Sequence, residues 1–166
     1  MSSTVPADGR SDFDFIFGRW QVRNRKLVDV TDVACEEWIE FDATGAAEPI
    51  LGGLGHVDRF WAETFEGFTL RQFDPESKLW RIWWASSRRP GHLDPYVEGS
   101  FTGGIGQFFC DDVLGGHAVK VRFQWTTLNP DAPRWEQAFS YDGGTTWRTN
   151  WIMEFTRTAS TSNQNQ

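Results

Sequence analysis

The sequence predicts a single all-β domain: an antiparallel up-and-down β-barrel of about ten strands, with a short N-terminal plug helix and a cavity lined by aromatic side chains. Three observations predict it. Short runs of aromatic and β-branched residues recur along the chain, each bounded by Gly, Asp or Pro, which is the punctuation of hairpins. Helical spacing of apolar residues is sustained nowhere. Ten Trp stand beside fourteen Phe in 166 residues. That is more aromatic bulk than a compact core of this length needs, so part of it is left to line a cavity.

The helical exception comes first. Ser11-Asp12-Phe13-Asp14-Phe15-Ile16-Phe17 has a capping Ser or Asp and an apolar end, and reads as one turn that plugs a barrel opening. Strands are expected at Arg19–Val28, Ala34–Ala43, His56–Glu63, Phe68–Phe73 and Leu79–Ser86, the last two joined by the turn Asp74-Pro75-Glu76-Ser77-Lys78. Further strands follow at Val97–Thr102, Gly106–Asp111, Ala118–Thr127, Arg134–Tyr141 and Thr146–Arg157. The turns Gly103-Gly104, Gly115-Gly116 and Asp142-Gly143-Gly144 suit the positive φ of hairpin loops. Consecutive hairpins close most naturally into a barrel, which leaves no exposed edge, and a two-sheet sandwich is the alternative. The barrel is expected over residues 12–158, between a flexible N-terminus (1–11) and a tail (159–166) whose Ser, Asn and Gln offer no apolar anchor.

Charge and composition narrow the partners. A net charge of −7 and a pI near 4.9 argue against nucleic acid and anionic membranes, both of which call for a Lys/Arg-rich face. The first dozen residues lack the basic start and apolar run of a secretory signal, and no apolar stretch is long enough to cross a bilayer. Cys35 and Cys110 lie far apart with no Cys-x-x-Cys pair, so zinc and thiol-redox motifs are absent and a cytoplasmic setting with reduced thiols is expected. No metal site is expected either, since His92 and His117 fall in loops without ligand spacing. No cofactor motif is present: Gly103-Gly104-Ile105-Gly106 joins two strands and has no following helix to hold a phosphate.

Alternation along the strands identifies side chains that share a face. Val119, Val121, Phe123 and Trp125 alternate with Lys120, Arg122 and Gln124, and are expected to point inward; Trp147, Trp151, Met153 and Phe155 likewise share one face, opposite Asn150. Trp83 and Trp84 are adjacent, so one of them faces outward, where it would mark a subunit interface of a homodimer. His56 and Asp58 lie two apart on one face, where a carboxylate can orient an imidazole as a general base. The plainer alternative is that both sit at a turn exit and bond to backbone or water. Arg71, on a strand rich in large apolar residues, is a candidate to bind a carboxylate, phenolate or enolate oxygen if it points inward, and an ordinary salt-bridge partner if it points outward. Trp38, Glu40, Trp61, Trp84, Trp125, Glu136, Asn150 and Trp151 complete the candidate ligand-binding set, with a solvated strand face as the alternative for the polar ones.

Gly18-Arg19-Trp20, which follows the apolar turn and opens the first strand, resembles the Gly-x-Trp signature of lipocalins and their calycin relatives. The resemblance implies that Trp20 packs across the closed end of the barrel and that Arg157, on the last strand, stacks on it. Phe15-Ile16-Phe17-Gly18-Arg19-Trp20, Gly52-Gly53-Leu54-Gly55, Leu70-Arg71-Gln72-Phe73-Asp74-Pro75, Trp135-Glu136-Gln137-Ala138-Phe139-Ser140 and Asp142-Gly143-Gly144-Thr145-Thr146-Trp147 resemble a bacterial family of small lipocalin-like proteins, catalogued largely as a domain of unknown function. In that family the residue after the Gly-Gly-Leu-Gly turn is usually Asn; here it is His56, which would give this chain an acid/base group its relatives lack. The chain also resembles nitrobindin-type haem barrels in general form, but its last strand has no histidine to serve as an axial ligand.

Two functions from different classes fit these residues. One is a cofactor-independent isomerase, cyclase or lyase for a small apolar or aromatic metabolite, with His56 moving a proton, Asp58 orienting it and Arg71 stabilising an oxyanion. The other is a carrier or sensor that holds a similar molecule unchanged, with Arg71 as its anchor.

Overall fold

A computed structural model describes residues 8–158. Residues 1–7 of the expected N-terminal segment and the whole of the expected tail, 159–166, lie outside the described residues. Ten strands run in sequence: β1 (Gly18–Leu27), β2 (Trp38–Ile50), β3 (Gly55–Ala62), β4 (Glu66–Asp74), β5 (Leu79–Ser86), β6 (Val97–Thr102), β7 (Ile105–Leu114), β8 (His117–Thr126), β9 (Arg134–Ser140) and β10 (Arg148–Arg157). Each pairs antiparallel with the next, and β10 returns to β1 from Trp20↔Arg157 to Lys26↔Trp151, closing the barrel. Closure supplies every strand with two neighbours, and the sandwich alternative falls.

The main boundary difference is in β2, which starts at Trp38 instead of Ala34 and continues to Ile50. Asp29 and Asp32 explain the late start: their carboxylates accept from the backbone N–H of Thr31 and Ala34, bending residues 28–37 into turns. The late end is set by packing. Ala43, Gly45 and Ala47 have weak strand propensity, but they point inward and are buried, Gly45 beside Val22 and Trp20.

The plug is a single 3₁₀ turn, Asp14–Ile16, with Phe13 and Ile16 wholly buried against the barrel floor. Trp20 Nε1 donates to Ile16 O at 2.8 Å, tying plug to wall. Arg157 Cζ lies 4.2 Å from the Trp20 ring centroid, and its Nη1 and Nη2 donate to Phe17 O and Phe15 O. This is the contact the Gly-x-Trp resemblance implies. Gly18 makes the turn between plug and β1 at φ 106°, a conformation that side-chain-bearing residues rarely adopt. Residues ahead of the plug also pack on the wall: Trp80 Nε1 donates to Gly9 O at 3.0 Å.

One expectation about faces is overturned. A β-bulge between Thr149 and Trp151 inserts Asn150 as an extra residue, so the alternation changes phase there. Trp147 stands on the outer wall against Phe109 and Arg122, whereas Trp151, Met153 and Phe155 are inside. Trp83 is the outward member of its pair and packs on Tyr96, leaving Trp84 to the lumen. Among the described residues no helix is long and apolar enough to cross a membrane.

Candidate functional site

The lumen is a box of aromatic rings with one ion pair set into its wall. Phe60 from β3, Trp84 from β5, Phe123 and Trp125 from β8, Trp135 from β9 and Trp151 from β10 meet mostly edge to face, for example Trp84–Trp151 at 6.2 Å and Trp135–Trp151 at 5.6 Å between centroids. Met153 and Phe155 fill the wall between them. A cavity of about 60 Å³ remains among these rings. Gly67 makes the box possible at one corner, since a Cβ there would fall 1.9 Å from the Trp84 indole.

Four polar side chains reach this cavity: Asp58, Thr69, Arg71 and Gln137. Arg71 sits directly across from His56 in the β3–β4 register and reaches diagonally, so that its Nη2 donates to Asp58 Oδ2 at 2.9 Å. Arg71 is 3% exposed. Its Nε and Nη1 have no hydrogen-bond acceptor, and the rings of Phe13 and Trp125 lie 4.9 and 5.6 Å from Cζ. A buried guanidinium with so much unused donor capacity is rare in a pocket that serves packing alone. Asp58 accepts only this one hydrogen bond among the described residues. Burial pushes its carboxyl pKa up, and the Arg71 charge and hydrogen bond oppose that rise.

His56 is inside the barrel but away from the cavity. The expected His56–Asp58 pair does not form: both ring nitrogens lack a partner, and Asp58 is taken by Arg71. A guanidinium gives the carboxylate a charge-assisted bond that a neutral imidazole cannot match. The His56 ring lies behind Arg71, between Phe17 and Trp80, each 4.8 Å away, and off the cavity wall. Burial, with the neighbouring Arg71 charge, brings its pKa down from 6.5 to about 3, so the imidazole is neutral at physiological pH.

The remaining candidates divide by face. Trp84, Trp125 and Trp151 line the cavity. Asn150 is buried by the bulge and accepts from Gln137 Nε2 at 2.9 Å, holding that amide against the cavity. Trp38, Glu40, Trp61 and Glu136 are corrections, all on the outer wall. Trp38 carries Arg25, Trp61 carries Arg59, Glu40 pairs with Arg23, and Glu136 pairs with Arg134. The strand phase explains the first three: the inner residues of β2 and β3 are Phe41, Ala43, Gly45 and His56, Asp58, Phe60, which leaves their neighbours outside. Phe60, Thr69, Trp135 and Gln137 also line the cavity, outside the candidate set drawn from the sequence; for the two on β9 the pattern is informative. The signal was present, because Trp135, Gln137 and Phe139 alternate with Arg134, Glu136 and Ala138. Among the described residues no group of three or more His, Cys, Asp or Glu is placed to hold a metal ion.

No family model matches the chain, and no curated protein matches it. Among solved structures, an S-type phycobiliprotein lyase from Guillardia theta is similar, with a TM-score of 0.53 at 11% identity over 92% of this chain and 96% of that one. At that identity the likeness is one of fold. The lipocalin-like barrel expected from the Gly-x-Trp resemblance stands on it; membership of the bacterial family named above has no match behind it.

Proposed function

We propose that the protein binds one small, mainly aromatic or apolar molecule in the lumen and holds an oxygen of that molecule against Arg71. The observation that carries this reading is a guanidinium almost wholly out of water, paired on one nitrogen only, in the wall of an aromatic cavity. Such a site is mostly apolar with a few placed polar groups, the composition expected of a ligand pocket. An oxygen acceptor on the ligand would use donors the protein leaves idle. The barrel of similar fold is described as a lyase for phycobiliproteins, which agrees with a binding or lyase role in the coarse sense. Both cysteines are free, and we place the protein among reduced thiols in the cytoplasm.

The test is a tryptophan-fluorescence titration with naphthalene and with 2-naphthol, on the protein and on Arg71→Met. Both probes should quench saturably at one site per chain. The variant should lose roughly tenfold affinity for naphthol, the size expected when a hydrogen bond to a charged group is removed, and none for naphthalene. Weak, non-saturating quenching by both probes would show that the lumen is only a core.

Conversion of the ligand is the second reading, and Asp58 favours it. Its carboxyl lines the cavity, its pKa is raised by burial, and it lies next to a cation able to stabilise an oxyanion. In this reading Asp58 carries the proton, Arg71 holds the developing charge, and neutral His56 backs Arg71, so no cofactor is required. Asp58→Asn should then lower turnover of a converted metabolite by about 10²–10⁴ while His56→Asn leaves it largely intact. The reverse order would return the proton to His56.

A further inference from the structure

At the end of the barrel opposite the plug, the chain places two cations against aromatic rings. Alternation from Trp20, Val22 and Asn24 carries Lys26 onto the inner face of β1, and it is half-buried there. Its Nζ stands 5.3 Å from the ring centroid of Trp151, a cavity-lining residue. Arg88, two residues past β5, lies 4.4 Å from the ring of Phe65 and is fixed by donating from Nη2 to Thr64 Oγ1 at 2.8 Å. Phe65 is buried between β3 and β4, 6.3 Å from Trp151 and 5.6 Å from Phe60. The two cations therefore stand on adjoining rings of one aromatic layer, the layer that continues the cavity wall towards the mouth.

Neither cation takes part in an ion pair among the described residues. Other unpaired arginines exist, but Arg25, Arg59 and Arg122 stack on Trp38, Trp61 and Trp147 of the outer wall. Lys26 has only a long contact to Leu27 O at 3.4 Å. Burial and, after it, the nearby Arg88 charge pull its pKa below the usual lysine range, while Asp29 and Cys35 act in the opposite sense. A chain of net charge −7 repels anions at large, which makes a local cation pair over the lumen a selective feature.

The geometry points to an anion subsite at the mouth: the lumen ligand is an aromatic or apolar acid whose carboxylate lies between Lys26 and Arg88, with its body along Trp151 and Trp84. This rests on the lumen being the ligand site, and it names the ligand class. Carboxylate recognition here uses one point charge and one planar fork, each already held by an aromatic ring.

The experiment compares 2-naphthoic acid with its primary amide by tryptophan quenching, on the protein, on Lys26→Gln, on Lys26→Gln/Arg88→Gln and on Arg71→Met. The acid should bind about tenfold more tightly than the amide to the unaltered protein, with the preference falling as salt rises from about 0.05 to 0.5 M. Lys26→Gln should reduce that preference and the double variant should abolish it, while amide affinity stays the same in both. If the acid keeps its advantage in the double variant and loses it in Arg71→Met, the carboxylate sits on Arg71 and the mouth subsite is overturned, with the lumen reading intact. If neither probe saturates on the unaltered protein, the lumen reading fails and the subsite fails with it. Constant amide affinity in Lys26→Gln and in the double variant shows that the folded lumen has survived those substitutions.

Discussion

Arg157 at the closed end and Arg71 in the lumen both lie against tryptophan, 4.2 and 5.6 Å from the ring centroids of Trp20 and Trp125, yet their surroundings are opposite. Arg157 is half in solvent, bonds to Phe15 O, Phe17 O and Asp131, and uses its fork to pin the plug to the last strand. Arg71 is buried, bonds to one carboxylate, and leaves two nitrogens without acceptors. The same pair of residue types serves closure where the backbone supplies acceptors, and is left available where the wall is aromatic. What separates a structural arginine from a ligand-binding one in this barrel is thus the supply of acceptors, not the stacking contact.

The strongest way to break this comparison is to remove the countercharge in the lumen. Asp58→Leu strands a buried guanidinium and should cost about 3–5 kcal/mol in urea denaturation, with Asp58→Leu/Arg71→Met recovering most of it. A single variant within about 1 kcal/mol of the parent would mean that Arg71 is already solvated, and the contrast with Arg157 would collapse.

The pH profile is expected to be the next largest effect. The folded-state pKa of His56 is about 3, below its unfolded value of 6.5, so between these values the unfolded chain binds a proton that the folded barrel does not. Stability contributed by neutral His56 is complete above pH 6.5 and is lost as pH falls towards 3, a change on the order of a few kcal/mol. Asp58 works in the opposite sense, because its folded pKa is raised: protonation in the barrel favours the fold at low pH, and that contribution is lost as pH rises through its folded value. His56→Leu should therefore flatten the denaturation midpoint between pH 6.5 and 4. An unchanged slope would mean that the ring gains a hydrogen-bond partner in solution.

At the closed end the effect should be smaller. Arg157→Ala loses the stacking and packing on Trp20, worth about 1–2 kcal/mol, and should leave probe binding in the lumen unchanged. A larger loss together with loss of binding would show that plug and lumen are coupled. Least of all should follow from Glu136→Gln and Trp61→Thr on the outer wall, each within about 0.5 kcal/mol and without effect on the titrations. A clear binding defect from either would reverse the assignment of faces.

How far the sequence reached depends on which physical signal each feature rests on. Hairpin turns are local chemistry, and Gly103-Gly104, Gly115-Gly116 and the Asp142 turn were legible because their residues answer to backbone conformation alone. Strand existence followed from aromatic and β-branched runs, and closure from an unbroken series of hairpins; the Trp20–Arg157 contact came from the resemblance carried by Gly18-Arg19-Trp20. The inward set of β8 was readable because one face is wholly apolar. Trp38, Glu40, Trp61 and Glu136 were misplaced because aromatics lie on both faces of those strands, and outer arginines shelter the exposed rings, so hydrophobicity does not report the phase. The bulge at Asn150 has no local signature, and it decides which of Trp147 and Trp151 sees the lumen.

The sequence by itself determined the class of the fold, the order of its strands, their turns and the surplus of aromatic rings, since each depends on residues close together in the chain. Only the tertiary structure decided the site. Arg71 meets Asp58 instead of leaving it to His56 because the diagonal reach between β3 and β4 favours a long charged side chain over a short ring. Lys26 from β1 and Arg88 from the turn after β5 come to one aromatic layer. Partnership between charges is set by which strands become neighbours and by what water is excluded, and neither is written in any one segment of the chain.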